Sequence, residues 1–321
     1  MISLLPFNDA VDMTAATTEP GEPLLPSASA TPIGASTWYA FTSPVTGSLS
    51  ATGHSGSPYF GTILAVYTGN SLASLTEVGS RAGEPTVTFR ANAGVTYYFQ
   101  LGIPALSLPV PAPMSFQLQV TPPPVAGFFF SPGDPTVVDT VQFVDQSFDP
   151  GQAGFQSEQW DLGDGVTATG CCPTHRYTAD GDYTVRLAVT TFDGRIASAS
   201  QIVLVRTHDV AITKLTAPQT ARAGQTRQIT VGVSDNRYPE TVQVQLFKST
   251  PGGFQLVGTL TQSVPVRGAN RTTAFDFSYT FTSDDAAIGK VTFKADATIL
   301  GPRDALPSDN EAIASPTRVN H

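Results

Sequence analysis

Gly181-Asp-Tyr-Thr-Val-Arg-Leu-Ala-Val189 places Tyr183, Val185, Leu187 and Val189 at every second position, with Thr184, Arg186 and Ala188 between them. Successive side chains of an extended chain point to opposite faces, so this alternation is that of a half-buried β-strand. The pattern recurs outward from this segment. Ile229, Val231 and Val233 alternate in one stretch, and Val242, Val244 and Leu246 in the next. Phe275, Phe277, Tyr279 and Phe281 form an aromatic stripe with the same period. The intervening Thr, Ser, Gln and Arg supply the solvent faces. No window free of Gly and Pro carries apolar residues at i, i+3, i+4 and i+7 over three helical turns, so helices are not expected as major elements. Short strands separated by Gly, Pro, Asn and Asp turns predict β-sandwiches rather than βαβ units.

A Gly turn feeding a strand occurs at Gly94-Val-Thr96-Tyr97, at Gly181-Asp-Tyr183-Thr184-Val185 and at Gly289-Lys-Val291-Thr292-Phe293. The intervals are domain-sized, which predicts one such corner in each of three bodies. Thr121-Pro-Pro-Pro124 reads as a stiff extended linker, since consecutive prolines favour polyproline II. Val203 to Val210 joins the next pair with little spare chain. The expected organisation is all-β: three tandem β-sandwich domains over residues 1–121, 122–207 and 208–321, strung as a rod.

Composition narrows the function. The 321 residues include 17 Lys and Arg against 26 Asp and Glu, a net charge of −9, and only 13% are charged. An acidic chain of this kind argues against nucleic-acid binding, which needs clustered positive charge. Apolar stretches such as Val125–Phe130 are too short to span a bilayer, so no membrane insertion is expected. Nineteen Phe, nine Tyr and two Trp suffice for packed cores. The N-terminal Met1-Ile-Ser-Leu-Leu-Pro-Phe lacks the basic and long apolar regions of a signal peptide, which reads as a processed or truncated chain. Cys171 and Cys172 are adjacent and are the only cysteines. Three states stay open for them: a strained vicinal disulfide, two free thiols, or intermolecular bonding.

The middle segment contains Val141-Gln-Phe-Val-Asp-Gln-Ser147, Trp160-Asp-Leu-Gly-Asp-Gly165, His175-Arg-Tyr177 and then Gly181-Asp-Tyr183-Thr184-Val185. These four elements in order resemble the PKD repeat, whose usual string is W-D-F-G-D-G, then H-x-Y, then G-x-Y-x-V. The resemblance covers about residues 124–205 and implies a seven-stranded Ig-like sandwich used as a spacer or interaction module of extracellular and surface proteins. Cys171-Cys172 departs from the pattern, standing in a loop where the family often has Asn or a similar polar residue. The first segment, with Thr37-Trp-Tyr39-Ala-Phe41, Leu64-Ala-Val-Tyr67-Thr-Gly69 and Ala93-Gly94-Val-Thr96-Tyr97, resembles pre-peptidase C-terminal domains of bacterial extracellular proteins, which implies a jelly-roll-like sandwich. Such domains often carry an Asp shortly before the Leu-x-Val-Tyr run. Phe60-Gly61-Thr62-Ile63 stands there instead, which weakens any metal or ligand role carried over. The third segment, with Asp209-Val-Ala-Ile212, Ala223-Gly224-Gln225, Asp304 and Ser308-Asp309-Asn310-Glu311, resembles the CARDB adhesion module, a second Ig-like sandwich.

The chemistry-bearing residues fit structural roles. Trp160 reads as a core anchor on a strand. Asp161 and Asp164 read as turn formers that bond nearby N–H groups, with Gly163 and Gly165 at positive φ. The alternative for Asp149, Asp161 and Asp164 is a calcium site, the sole cofactor the residues suggest, although no spaced run like an EF-hand loop is present. Gly53-His54-Ser55-Gly56-Ser57 fails the nucleophile-elbow pattern at its last position. His54, His175, His208 and His321 are scattered, and His175 reads as structural. Asn270-Arg-Thr272 fits a glycosylation pattern but reads as a chance tripeptide. No catalytic or cofactor-binding residue is expected. Ile2, Leu4, Leu5 and Phe7 are candidates for a strand donated to another copy, although closing their own first domain is the favoured reading. Tyr39, Tyr59 and Tyr238 are the aromatic candidates for polysaccharide contact. The expected function is a non-catalytic extracellular or cell-surface protein whose partners are other copies of itself, surface proteins or glycans. An accessory fragment of a secreted peptidase or polysaccharide hydrolase is the alternative.

Overall fold

A computed structural model describes residues 1–56, 61–83, 85–105, 113–235, 237–266 and 271–321. Ser57, Tyr59, Phe60 and Asn270 lie outside these described residues. The chain divides into two compact units: Met1–Phe130, Phe143–Pro173 and Thr184–Ile202 form one, and Ser131–Gln142, Thr174–Tyr183 and Val203–His321 form the other. Strands dominate throughout, so the fold is all-β.

The first eight strands are β1 (Phe7–Val11), β2 (Ile33–Thr42), β3 (Gly47–Ser55), β4 (Thr62–Thr68), β5 (Thr76–Gly83), β6 (Thr86–Ala91), β7 (Thr96–Pro104) and β8 (Met114–Val120). They pair antiparallel in two sheets of order β1-β8-β3-β6 and β2-β7-β4-β5. Eight strands in two four-stranded sheets with this order make a jelly roll. One apolar cluster joins the two sheets, with Leu101, Phe99, Leu64 and Val66 from one and Phe116, Leu118, Ala51 and Phe89 from the other. The Phe99 and Phe116 rings lie 5.4 Å apart across it. A buried polar seam lies beside this core. Glu22 Oε2 accepts from Ser36 Oγ at 2.8 Å and Trp38 Nε1 at 2.7 Å, which lets a carboxylate only 6% exposed stay hydrogen-bonded.

Seven strands follow: β9 (Phe128–Ser131), β10 (Val141–Asp145), β11 (Phe155–Asp161), β12 (Thr167–Thr169), β13 (Thr174–His175), β14 (Gly181–Thr191) and β15 (Ile196–Val205). Their sheet orders are β13-β10-β9 and β12-β11-β14-β15. The count equals that of the Ig-like sandwich implied by the PKD resemblance. Trp160 on β11 is 2% exposed and packs against Phe128 at 5.1 Å and Phe143 at 5.7 Å, so it anchors the core as its strand position predicts. Val185, Leu187 and Val189 are buried while Thr184 and Arg186 are exposed.

The remaining strands are β16 (Val210–Thr216), β17 (Thr220–Arg222), β18 (Thr226–Asp235), β19 (Glu240–Thr250), β20 (Gly253–Val264), β21 (Thr273–Thr280), β22 (Lys290–Val291), β23 (Phe293–Ile299), β24 (Glu311–Ile313) and β25 (Thr317–Asn320). They form sheets of order β16-β18-β21, β17-β25-β22 and β20-β19-β23-β24. Ile229, Val231, Val233, Val242, Val244, Leu246, Phe275 and Phe281 are wholly buried in one cluster, as their alternation predicts. One short helix, α1 (Ser283–Ile288), interrupts the strands. Thr282 and Asp285 form its capping box, and Gly289 at φ +79° closes it. Gly289, read in the sequence as a turn feeding a strand, is therefore also a helix stop. Asp285 further accepts from Lys248 Nζ at 3.0 Å and Tyr279 Oη at 2.6 Å, which ties α1 to β19 and β21.

Candidate functional site

The turn after β11 uses its acidic residues as expected. Asp161 Oδ1 accepts from Gly163 N at 3.0 Å, and Asp164 Oδ1 from Val166 N at 3.2 Å. Gly163 has φ +86°, and a Cβ there would meet the Thr184 backbone at 2.8 Å, so glycine is required twice over. The indole Nε1 of Trp160 donates to Gly170 O at 2.8 Å, joining the core anchor to the following loop. His175 stands edge-on to Tyr177, with ring centroids 4.7 Å apart.

Asp149, the third calcium candidate, is engaged elsewhere. Its Oδ1 accepts from Gly151 N at 2.9 Å, and its Oδ2 from Ala153 N at 2.8 Å and Arg195 Nη2 at 3.0 Å. Arg195 Nη1 lies 2.8 Å from Asp149 Oδ1, so the pair is bidentate. Arg195 Nε also contacts Asp193 Oδ2 at 2.6 Å, and Arg195 Nη1 donates to Pro122 O at 2.5 Å. Asp193 accepts from Thr191 Oγ1 and from Ser48 Oγ. The side chains of Arg195, Asp149 and Asp193 are 11%, 4% and 3% exposed. Burial alone would raise both carboxyls. Hydrogen bonds from Arg195 and from neighbouring N–H and O–H groups outweigh it and hold Asp149 and Asp193 below the ordinary carboxylate value. Asp149 is a candidate in the sequence, whereas Arg195 and Asp193 are not: the contacts that make them a cluster, Arg195 with Asp149 and Pro122 and Asp193 with Ser48, are remote along the chain.

A second acidic group sits in the other unit, on Asp209, Asp304, Asp309 and Asn310, residues quoted above only as parts of a family resemblance. Asp304 Oδ1 accepts from Leu306 N at 2.8 Å, and Asp304 Oδ2 from Val210 N at 3.3 Å. Asp235 Oδ1 accepts from Arg237 N at 2.9 Å. The buried Oδ1 atoms of Asp209, Asp309 and Asn310 have no hydrogen-bond partner among the described residues. Burial first, and then the charges of Asp309, Asp304 and Asp235, push the Asp209 carboxyl up to about 6. Asp309 is raised by burial and Asp304 in the same way. Among the described residues, no group of three or more His, Cys, Asp or Glu is arranged to hold a metal ion.

Ile2 is 5% exposed, bridges to Phe41 and donates its N–H to Ala40 O at 2.7 Å. Leu5 and Phe7 pack against the first core, and Leu4 is exposed. β1 pairs with β8, so the N-terminal segment closes its own sandwich. Tyr39 stacks on Phe116 at 4.3 Å and donates to Asp9 at 3.0 Å, which leaves it half-buried rather than a flat platform. Tyr238 donates to Asp180 Oδ2 at 3.0 Å. Cys171 and Cys172 are exposed, with Sγ atoms 2.7 Å apart. No helix of the described residues is long and apolar enough to cross a membrane.

Residues 121–205 match the family model of the PKD domain. Over 69 residues the chain is 35% identical to a microbial collagenase of Vibrio alginolyticus, an alignment that takes in 22% of this chain. The chain spans 8% of the length of that curated relative. Among solved structures, the PKD1 domain of a Vibrio cholerae metalloprotease is 32% identical, covers 27% of this chain and 100% of its own, and has a TM-score of 0.25. A CARDB domain from Pyrococcus furiosus is 15% identical over 36% of this chain and 90% of its own, with a TM-score of 0.28. The motif order read from the sequence and the family match coincide on one stretch: residues 121–205 carry the pattern of a PKD domain.

Proposed function

We propose that the chain is a non-catalytic part of a secreted or cell-surface protein, acting as a spacer or adhesion segment built from three serial sandwiches with boundaries near residues 121 and 207. The observation that carries this reading is where the ionisable groups are used. Asp149, Asp161, Asp164 and Asp193 are occupied by turn N–H groups and by Arg195, so these carboxylates serve the fold. The solvent faces carry Thr, Ser and Gln rather than charge, which suits short-range contact with glycans, surface proteins or further copies of the chain over long-range steering. The subunit of an extracellular fibre is the sharper version of the same reading.

A second reading, an accessory segment of a secreted hydrolase, is favoured by the collagenase identity over 69 residues. Incubation of the purified chain with insoluble collagen, chitin and cellulose tests both readings together. The proposal predicts no soluble fragments from any matrix. Depletion of the chain from the supernatant marks an adhesion or accessory segment, and its full recovery marks a spacer. Release of peptides or sugars by the chain alone contradicts the proposal. Negative-stain images then separate isolated particles from filaments.

A further inference from the structure

Cys171 and Cys172 occupy a loop whose backbone is held from two sides. Gly170, at φ +91°, donates its N–H to Glu158 O at 3.2 Å, and its carbonyl takes the Trp160 indole. Cys171 O accepts from Asp145 N at 3.0 Å, and Pro173 O accepts from Phe143 N at 2.9 Å. Adjacent side chains on a straight strand point to opposite faces. Here the bend at Gly170 and these four bonds bring both sulfurs to the same side, exposed and 2.7 Å apart. Two soft donors on one anchored loop are positioned before any ligand arrives, which removes most of the ordering cost of chelation.

We propose that Cys171 and Cys172 form a surface dithiol site that captures one soft, thiophilic trivalent centre through both sulfurs, an organoarsenic(III) oxide being the simplest such ligand. Sulfur donors select soft centres over hard ones such as calcium. The reaction balances without an oxidant. Two S–H bonds and the arsenic–oxygen bonds break, two As–S bonds form, both protons leave with the oxide oxygen as one water, and arsenic stays trivalent. The Cys172 thiol is pushed up chiefly by its hydrogen bond with Cys171, with the nearby Asp145 charge adding to the shift.

The test uses the full chain, reduced with a phosphine, its two thiols counted with a chromogenic disulfide, then mixed with equimolar phenylarsine oxide and weighed intact. The expected result is a single adduct equal to the arsenical less one water, with both thiols lost. It should survive excess glutathione and be removed by dimercaptopropanol. Cys171→Ser and Cys172→Ser, each checked for a native circular-dichroism spectrum, should bind on the order of a hundredfold more weakly and lose the label to glutathione. A wild-type chain left unmodified, an adduct stripped by glutathione, thiols that do not titrate after reduction, or single variants that keep the label would each overturn the proposal.

Discussion

Two acidic clusters of this molecule use the same residue type to opposite effect. Around Arg195, the carboxylates of Asp149 and Asp193 are almost fully buried yet stay charged, because a bidentate guanidinium and several N–H and O–H donors replace the water they lost. Around Asp209, the neighbours are Asp309, Asp304 and Asp235, against which Arg237 acts in the opposite sense, and the carboxyl is pushed up to about 6. The difference shows that burial alone does not set the charge of an aspartate; the donors and charges around it decide whether the cost of burial is overcome. It also separates a cluster that stabilises the fold at neutral pH from one that opposes it.

The largest break in this comparison should come from Arg195→Ala. Removing the cation leaves two buried carboxylates without a counter-charge, and loss of one partner of a buried ion pair costs about 3–5 kcal/mol. Urea unfolding should show this as a large drop in midpoint, and a drop under about 0.5 kcal/mol, the range of an ordinary surface change, would remove the cluster from the stability account. Gly151→Ala attacks the same cluster sterically. A Cβ there would run into Thr121 Cγ2 and would meet Arg195 Nη2 at 2.7 Å, for an expected cost of about 1–3 kcal/mol.

Asp209→Asn sharpens the other side. A carboxyl whose folded value is raised from 3.8 to about 6 binds more protons folded than unfolded between those values. Its contribution is therefore present in full below 3.8 and is lost as the pH rises through about 6. Asp149 and Asp193, held low, act with the opposite sign, and their contribution is lost as the pH falls below 3.8. Asp209→Asn should raise the melting temperature slightly at neutral pH and flatten the decline of stability between 3.8 and about 6. Thermal scans of wild type and variant across that window check this, and an unchanged slope would count against the acidic cluster. The smallest effect belongs to Asp164→Asn. An Asn side chain can accept the same Val166 N–H in this exposed turn, so stability should stay within about 0.5 kcal/mol of wild type by urea unfolding.

How much was legible in the sequence follows from how far each residue reaches along the chain. Trp160, Asp161 and Asp164 read correctly because their partners, Gly170, Gly163 and Val166, lie within the same hairpin. The alternating strands read correctly because burial on one face leaves a period of two. Arg195 did not, since Asp149 and Pro122 are 46 and 73 residues away. Helix α1 was missed because six residues are too few for a helical period to show. Its signal was the Thr282 and Asp285 pair with Gly289 behind it. The Asp209 cluster was visible only as letters of a family pattern, because Asp209, Asp235 and Asp304 come from separate stretches that the fold brings together.

If the carboxylates around Arg195 are spent on the fold, a carbon-13 titration of the aspartate side chains shows it residue by residue. Asp149 and Asp193 are expected to titrate below 3.8 and Asp209 at about 6. Asp149 titrating at or above the ordinary carboxylate value would mean that Arg195 does not hold it, and would contradict the account.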